Sequence, residues 1–303
     1  MNTYCPLVEK YRPTQFQNII LDDINNTIIR NMINHSVFPN ILFYGPPGTG
    51  KTTTIINLIK EYQIKQGWST LNSVIHLNAS DDRGIDIIRN QIYNFVISNK
   101  LFETGLKFVI LDEADYMTKP AQYALKYILQ NYVSQVRVCI LCNYISKIEE
   151  GLLNEFVIFR FNKLPEEQIN NMLMDIVVKE QINITNEQVG DIQQLYKSDL
   201  RSMINCIQLH KSGNINMITK PRIEYIYNLF VNKYPISQII SELGKMEYDI
   251  KSVMKYFFNY IIQNKPEKIT LELMSVILNT MRFQDCNNKY FIIYCITKLY
   301  NKL

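Results

Sequence analysis

The chain has 303 residues, 47% of them hydrophobic and 20% charged, and its net charge of +4 at pH 7 permits nucleic-acid binding without indicating it. With 10 glycines and 10 prolines, the composition excludes a disordered chain and favours about two domains, or three small ones. No apolar run approaches the roughly 18 residues of a membrane span and the N-terminus lacks the apolar segment of a signal peptide, so we expect an intracellular protein.

Apolar strand-like runs alternate with helical patterns over residues 1–164. The runs that indicate strands are NILFYG, SVIHLNA, KFVILDEAD, VRVCILCN and VIFRF. Between them, KTTTIINLIKEY, IDIIRNQIYNFVIS and PAQYALKYILQNY repeat apolar residues at helical spacing. Strands that alternate with helices predict a parallel sheet in an α/β domain.

The pattern changes after residue 164, where no further segment has the features of a strand. PEEQINNMLMDIVVKEQ opens with a proline at its first helical position, and the next helix opens with a capping box from Thr185 to Gln188. SDLRSMINCIQLHKSG is predicted to start at a Ser198 cap and to stop at its final glycine. These three helices predict a small domain over residues 165–220.

Four or five more helices are predicted over residues 221–303, with breaks near Pro235, near Pro266 and between Asp285 and Asn288. The last segment, KYFIIYCITKLY, is apolar on more than one face. We therefore expect it to be buried, with another subunit as one candidate for what covers it.

GPPGTGKT, residues 45–52, matches the pattern G-x-x-x-x-G-K-[ST] after a strand and before a helix. Its glycines let backbone N–H groups point at phosphate oxygens, and the helix N-terminus adds partial positive charge. Lys51 is expected to reach the β- and γ-phosphates of ATP, and the Thr52 hydroxyl to hold Mg²⁺. The loop residues predicted to bind the nucleotide are Gly45, Pro46, Pro47, Gly48, Thr49, Gly50, Lys51, Thr52 and Thr53. The alternative is a chance match in a glycine-rich loop.

FVILDEAD supplies two carboxylates at the end of a buried strand. Asp112 is placed to face Mg²⁺, and Glu113 to orient or deprotonate the attacking water. Asn143, at the end of VRVCILCN, is predicted to position that water. The alternatives are ordinary solvated acids after a strand and, for Asn143, an amide that caps a turn.

Cys139 and Cys142 have the C-x-x-C spacing of zinc and redox sites, but no second Cys or His pair lies near them. They belong to an apolar strand pattern, in which residues three apart point to opposite faces. The interpretation favoured is two buried thiols that act as small hydrophobic residues.

Several segments together resemble a known family: VEKYRP, FYGPPGTGKTT, LNASDDRGID, FVILDEADYMT, ILCNYISKI and SDLRSMIN. In this order and spacing they resemble the small subunits of replication factor C, the sliding-clamp loader of eukaryotes and archaea and a branch of the AAA+ ATPases. The resemblance is dense from residue 8 to about residue 210 and weak beyond residue 220. It implies an AAA+ nucleotide-binding domain, a three-helix lid and an all-α collar that holds subunits together.

The resemblance also implies roles for residues around the nucleotide. Asn143 resembles sensor 1, and Arg201 resembles sensor 2, a lid arginine that reaches the γ-phosphate. Without the family, Arg201 would be taken for an ordinary surface arginine. The segment expected to lie against the adenine contributes Val8, Tyr11, Arg12 and Pro13.

The same resemblance suggests contacts with macromolecules. Arg83 is expected to touch template-strand phosphate, and Lys119 and Lys126 are further candidates for DNA contact, with a solvated helix face as the alternative. Leu101 and Phe102 are expected to anchor the chain on a sliding clamp, or alternatively to pack under the edge of the sheet.

One position departs from the family pattern. The loop before the final strand of the α/β domain normally reads Ser-Arg-Cys in this family, and its arginine enters the ATP site of the neighbouring subunit. Here the aligned residues are Asn154, Glu155 and Phe156. A carboxylate cannot neutralise developing negative charge, and Arg160, predicted to lie in the following strand, is not expected to replace the arginine.

These observations predict a DNA-stimulated ATPase subunit of a clamp loader that uses ATP and Mg²⁺ in a hetero-oligomer, expected to be a pentamer. Its partners would be other loader subunits, a sliding clamp and primer–template DNA, in the nucleus or at a viral replication site. The alternatives are a scaffold subunit that binds nucleotide without turnover, and an AAA+ DNA motor of another branch.

Overall fold

A computed structural model describes residues 5–68, 73–80, 87–98, 105–132, 135–212, 220–244, 250–282, 288–300 and 302. The chain divides into two compact units, the first formed by Met1–Ile176 and Tyr196–Asn205, the second by Val177–Leu195 and Cys206–Leu303. The predicted boundaries after residues 164 and 220 do not coincide with this division, and the three-domain organisation stays a prediction.

The first unit is built on a five-stranded parallel sheet in the order β2-β3-β4-β1-β5. Its strands are β1 (Ile41–Tyr44), β2 (Val74–Asn78), β3 (Lys107–Asp112), β4 (Val136–Cys142) and β5 (Val157–Arg160). They are the five runs predicted from the sequence. The predicted α/β fold class with a parallel sheet is therefore confirmed.

Helices cover both faces of this sheet. The helices that precede or connect the strands are α1 (Leu7–Lys10), α2 (Asp23–Asn34), α3 (Lys51–Gln66), α4 (Tyr93–Ile97), α5 (Lys119–Asn131) and α6 (Glu150–Leu153), and a π-helical stretch, Ile87–Ile92, leads into α4. Phe43 of β1 and Leu141 of β4 pack in one core with side chains of α2 and α3. Leu42 and Ile140, one residue before each, pack in a second core with α5 and α6. This alternation is why the strands read as almost continuously apolar.

The helices that follow the sheet are α7 (Glu166–Lys179), α8 (Asn186–Tyr196), α9 (Leu200–Ser212), α10 (Lys220–Val231), α11 (Ile236–Gly244), α12 (Ile250–Asn264), α13 (Leu271–Arg282) and α14 (Asn288–Tyr300). No strand follows β5 in the described part of the chain, as predicted. In the second unit, α10 to α14 pack around a core that includes Phe230, Phe257 and Phe258. Phe291 and Cys295 of α14 belong to the same core, so part of this apolar helix is buried by its own chain.

Two of the predicted helix starts need correction, and one is confirmed. The capping box is present, because the Thr185 N–H donates to Gln188 Oε1 (2.9 Å) and the Gln188 N–H donates to Thr185 Oγ1 (3.3 Å). The cap of α9 is Asp199 rather than Ser198: the Ser198 hydroxyl oxygen accepts instead from the Leu164 N–H (3.2 Å). Helix α7 begins one residue after the predicted proline.

Among the described residues, no helix combines the length and the apolar character needed to cross a membrane.

Candidate nucleotide-binding site

The glycine-rich loop lies between the end of β1 and the start of α3, as its pattern predicts. Gly45 has φ +149°, and a Cβ added to it would lie 2.0 Å from the Phe161 carbonyl oxygen. Only glycine lets the chain leave β1 so close to the residue that follows β5. The loop then turns through Gly50, which has φ +87° and precedes the first residue of α3.

The side chain of Lys51 is buried in this loop, with 8% of the residue exposed. Its ammonium donates to the carbonyl oxygens of Gly45 and Pro46 (2.8 Å each) and to Asn143 Oδ1 (3.0 Å). Because an ammonium has three N–H donors, a phosphate oxygen would reach Lys51 by replacing one of these acceptors. Asn143, the residue after β4, is therefore in direct contact with the lysine of the loop.

Burial lowers the pKa of Lys51, and the nearby Arg201 guanidinium adds to that effect. The carboxylates of Asp112 and Asp115 act in the opposite direction. The ammonium thus lies near two acids and an arginine. An anionic ligand bound beside it would favour the protonated form of Lys51.

Asp112 ends β3 and lies opposite the first turn of α3. The Thr52 hydroxyl donates to its Oδ2 (2.8 Å), and the Glu113 N–H donates to its Oδ1 (2.9 Å). Burial works against ionisation, but the neighbouring His76 and the hydrogen bonds from Thr52 and the Glu113 N–H outweigh it, so the pKa of Asp112 lies below its ordinary value. An ionised carboxylate beside a threonine hydroxyl is the oxygen set that Mg²⁺ prefers, and these two residues fit the predicted metal role.

Glu113 follows at φ +53°, a left-handed conformation that costs energy in a residue with a side chain. Glu113 also lines the pocket that the loop borders. A strained residue beside the predicted metal ligand agrees with a role in the reaction.

The N-terminal segment forms another side of this pocket. The Arg12 Nε–H donates to Thr53 Oγ1 (3.2 Å), and the Asn57 amide donates to the Pro13 carbonyl oxygen (2.9 Å). Both bonds join the segment to α3. The predicted residues that line the pocket are Val8, Tyr11, Arg12, Pro13, Pro47, Gly48, Thr49, Gly50, Lys51, Thr52, Thr53, Glu113, Asn143 and Arg201.

Gly45, Pro46 and Asp112 are not among the lining residues, although they contact Lys51 or Thr52 directly. The structure thus brings the predicted nucleotide residues together, while their role in binding ATP stays a prediction.

Sequence reasoning missed several residues around this pocket. The additional lining residues are Glu9, Asn18, Ile19, Ile20, Met172, Leu200 and Ile204. Most are apolar residues whose sequence pattern indicates only helix or turn packing. His76 was also missed: its Nε2 lies 3.8 Å from Asp112 Oδ2, because β2 and β3 are neighbours in the sheet.

A further missed residue is Asp115, of which 6% is exposed. Its Oδ1 is buried without a hydrogen-bond partner among the described residues.

The residues predicted to contact DNA and the clamp are described only in part. Arg83, Leu101 and Phe102 lie outside the described residues. Lys119 is exposed and forms an ion pair with Glu149 (2.9 Å), which raises its pKa. Lys126 Nζ lies 3.2 Å from the position that a Cβ on Gly151 would take. DNA contact through these lysines stays a prediction.

The loop that replaces the family's arginine lies between α6 and β5. Glu155 Oε1 accepts a hydrogen bond from Gln130 Nε2 of α5 (2.9 Å). Asn40 holds the loop backbone, because its amide donates to the Glu155 carbonyl oxygen (3.4 Å) and its own carbonyl oxygen accepts from the Val157 N–H (2.9 Å). Arg160 is the last residue of β5, in the strand predicted for it.

Cys139 and Cys142 are buried free thiols on opposite faces of β4. Burial raises the pKa of Cys142 to about 12 and that of Cys139 further. The described residues contain no group of three or more His, Cys, Asp or Glu side chains that could hold a metal ion. Both cysteines are buried, as the strand pattern predicts.

Residues 41–164 match the model of the ATPase family associated with various cellular activities (AAA). The chain is 40% identical over 207 residues to replication factor C subunit 3 of Saccharomyces cerevisiae, a match that covers 68% of this chain and 60% of the yeast protein. It is 36% identical over 282 residues to probable replication factor C subunit 5 of Dictyostelium discoideum, covering 92% of this chain and 78% of the relative. With human replication factor C subunit 5 it shares 39% identity over 203 residues, or 67% of this chain and 59% of the human protein.

Solved structures of the Thermotoga maritima RuvB Holliday junction branch migration motor have the same fold. One aligns with a TM-score of 0.54 at 11% identity, covering 84% of this chain and 91% of the RuvB chain. At this identity the likeness describes the fold alone.

Proposed function

Since the chain belongs to the replication factor C family of subunits, we propose that it is an ATPase subunit of a clamp loader that acts in DNA replication. The observation that carries this proposal is the convergence of Lys51, Thr52, Asp112 and Asn143 at one edge of the sheet. These are the residue types that hold the phosphates and the metal ion of a nucleoside triphosphate. The reaction proposed is hydrolysis of ATP to ADP and phosphate.

Thr52 and Asp112 would hold Mg²⁺, which when bound would neutralise charge on the β- and γ-phosphates. The other steps belong to the chain's own residues. Lys51 would donate to phosphate oxygens, and backbone N–H groups of the loop would cradle them. Glu113 would orient or deprotonate the attacking water, with Asn143 beside it. Arg201, which lines the same pocket, would reach the γ-phosphate.

The partners proposed are other loader subunits, a sliding clamp and primer–template DNA. With Glu155 at the position of the family's arginine, this chain would not stimulate a neighbour's ATP site. A ring made only of this chain would hydrolyse ATP slowly, so we propose a hetero-oligomer, expected to be a pentamer. DNA would stimulate the ATPase within it, in the nucleus or at a viral replication site.

The experiment that tests nucleotide binding replaces Lys51 with alanine. Titrated with a ribose-labelled fluorescent ATP and Mg²⁺, Lys51→Ala should bind at least about tenfold more weakly than the unaltered chain, because a charge-assisted contact is worth about 1.5–3 kcal/mol. Lys60→Ala is the matched control, since Lys60 is an exposed lysine of the same helix α3. Equal affinity of Lys51→Ala and the unaltered chain would refute the proposed site.

A second candidate function, a scaffold subunit that binds ATP without turnover, is favoured by one observation. Glu155 is an acid at the position where the resemblance implies an arginine that acts on a neighbouring subunit. Its carboxylate accepts a hydrogen bond from Gln130 of the same chain. The complete set of Lys51, Asp112 and Glu113 argues against it. Single-turnover hydrolysis in a reconstituted complex decides: ATP bound at this chain persists in a scaffold and is converted in an ATPase. The identity to replication factor C subunits disfavours the other alternative, an AAA+ motor of another branch.

A further inference from the structure

The phosphate loop is attached directly to the first turn of α9. The Leu200 N–H donates to the Gly48 carbonyl oxygen (3.1 Å), a backbone bond between residues 152 positions apart in sequence. Leu200, Arg201 and Ile204 then line the same pocket as the loop. The start of α9 is thus part of the wall of the nucleotide site.

Asp199 occupies the space directly over Gly48. A Cβ on Gly48 would lie 1.8 Å from Asp199 Oδ1 and 2.5 Å from its carboxyl carbon. Gly48 also has φ +73°, so both the backbone conformation and the neighbouring carboxylate require glycine there. Gly48 is therefore required for two independent reasons, and one of them is the closeness of Asp199.

The Asp199 carboxylate is held in place by its own helix. Its Oδ1 accepts from the Ser202 N–H (3.1 Å), and its Oδ2 accepts from the Ser202 hydroxyl (2.7 Å). The side chain is therefore fixed at the helix start, where it caps α9 and contacts the loop with the same group.

We propose that Asp199 is a positioning residue for the nucleotide site. Its carboxylate, which caps α9, sets the shape of the phosphate loop together with the hydrogen bond from the Leu200 N–H to the Gly48 carbonyl oxygen. This rests on the proposed function, because the loop shape matters through nucleotide binding. The contact is separate from the role of Arg201, since it reaches the loop backbone and requires no ligand. A change at Asp199 should alter nucleotide affinity even when Arg201 is intact.

The chain offers a matched control for the cap. Asp22 caps α2 of the same unit with nearly the same geometry, accepting from the Asn25 N–H (3.0 Å) and from the Asn25 amide (2.6 Å). Neither aspartate lines the pocket, but only Asp199 is among the nearest atoms to a Cβ on Gly48. Asp199→Gly and Asp22→Gly remove equivalent caps, and only the first should weaken binding of fluorescent ATP, by about threefold to tenfold for a coupled contact.

A double-mutant cycle then isolates the contact with the loop. Gly48→Ala should weaken nucleotide binding by about tenfold or more, because the new methyl group meets the Asp199 carboxylate. In Gly48→Ala/Asp199→Gly, about threefold or more of that loss should be recovered, since the carboxylate is gone while the positive φ remains. Gly67→Ala is the matched control for φ alone: Gly67 has φ +67° and no heavy atom within 4 Å of an added Cβ.

The outcomes separate this inference from the proposed function. If the unaltered chain binds no nucleotide, both fail. If Lys51→Ala abolishes binding but the effects of Gly48→Ala and Asp199→Gly multiply without coupling, only the inference is overturned. If circular dichroism shows that Gly48→Ala does not fold, the comparison of Asp199→Gly with Asp22→Gly decides alone. Equal nucleotide affinities of these two variants would then overturn the inference.

Discussion

The phosphate loop and the loop before β5 differ in what their charged side chains contact. Lys51 joins the loop to the end of β4, and Asp112 joins β3 to the start of α3. Glu155 instead is half-buried, and its carboxylate accepts from Gln130, an exposed residue of α5 in the same chain. Lys51 and Asp112 thus join elements around the chain's own site, whereas Glu155 joins the loop before β5 to α5 through its hydrogen bond with Gln130.

The two regions should therefore differ in what a substitution costs the fold. Replacing Lys51 or Asp112 would leave partly buried polar partners without their hydrogen bonds, at a cost of about 1–3 kcal/mol each. Replacing the half-buried side chain at position 155 removes the hydrogen bond from Gln130, whose net contribution is about 0.5–1.5 kcal/mol. The comparison makes predictions about activity, assembly and acid stability.

The largest effect on the ATPase rate should come from a substitution at Asp112, beside the phosphate loop. Asp112→Asn keeps the size of the side chain and an oxygen for Thr52 but removes the charge that would hold Mg²⁺. In a reconstituted hetero-oligomer, hydrolysis at this site should fall by about 10²-fold or more. The measurement is the steady-state ATPase rate across a Mg²⁺ titration. Asp23→Asn, an exposed acid of α2, should leave the rate unchanged. A full rate for Asp112→Asn would remove Asp112 from the reaction.

A substitution in the loop before β5 should raise the ATPase rate rather than lower it. Glu155→Arg would supply the cation that the family carries at this position, and the DNA-dependent ATPase of the hetero-oligomer should rise by about tenfold or more, below the 10³ to 10⁵ of a full arginine finger. Gln130→Ala removes the partner of Glu155 while the acid stays, and it should leave the rate unchanged. An unaltered rate for Glu155→Arg would mean that this loop does not face a nucleotide.

The smallest effect concerns stability in acid. The pKa of Asp112 in the folded chain lies below its ordinary value of 3.8, so the ionised carboxylate stabilises the fold at every pH above that value. This contribution should be lost as the pH falls through the lowered pKa. In urea unfolding, the free-energy difference between the unaltered chain and Asp112→Asn should be constant near neutral pH and shrink below about pH 4. A difference that grows in acid would contradict the assigned hydrogen bonds.

Much of the site follows from the sequence, because parallel strands place their carboxyl ends at one edge of a sheet. The pattern GPPGTGKT after β1, Asp112 at the end of β3 and Asn143 after β4 must therefore lie near one another once the strand order brings β3, β4 and β1 together. The alternation of strands and helices was sufficient to predict that edge.

Contacts made across the chain could not be predicted in this way. Asp199 was assigned no role, because a carboxylate before a helix reads only as a cap and nothing in SDLRSMIN points to Gly48. The bond between Gln130 and Glu155 depends on where the end of α5 lies beside the loop, which no periodicity records. Pocket residues such as Met172 occupy apolar helical positions that look the same as core positions.

Asn40 bears on which side chains the loop before β5 can carry. Its side-chain oxygen accepts from the Val138 N–H (3.0 Å), while its amide and carbonyl groups hold the backbone at Glu155 and Val157. The backbone of the loop before β5 is thereby held by hydrogen bonds with Asn40. These bonds do not involve the side chain at position 155. The backbone of this loop can therefore present an arginine or a glutamate at position 155 while the bonds with Asn40 stay the same.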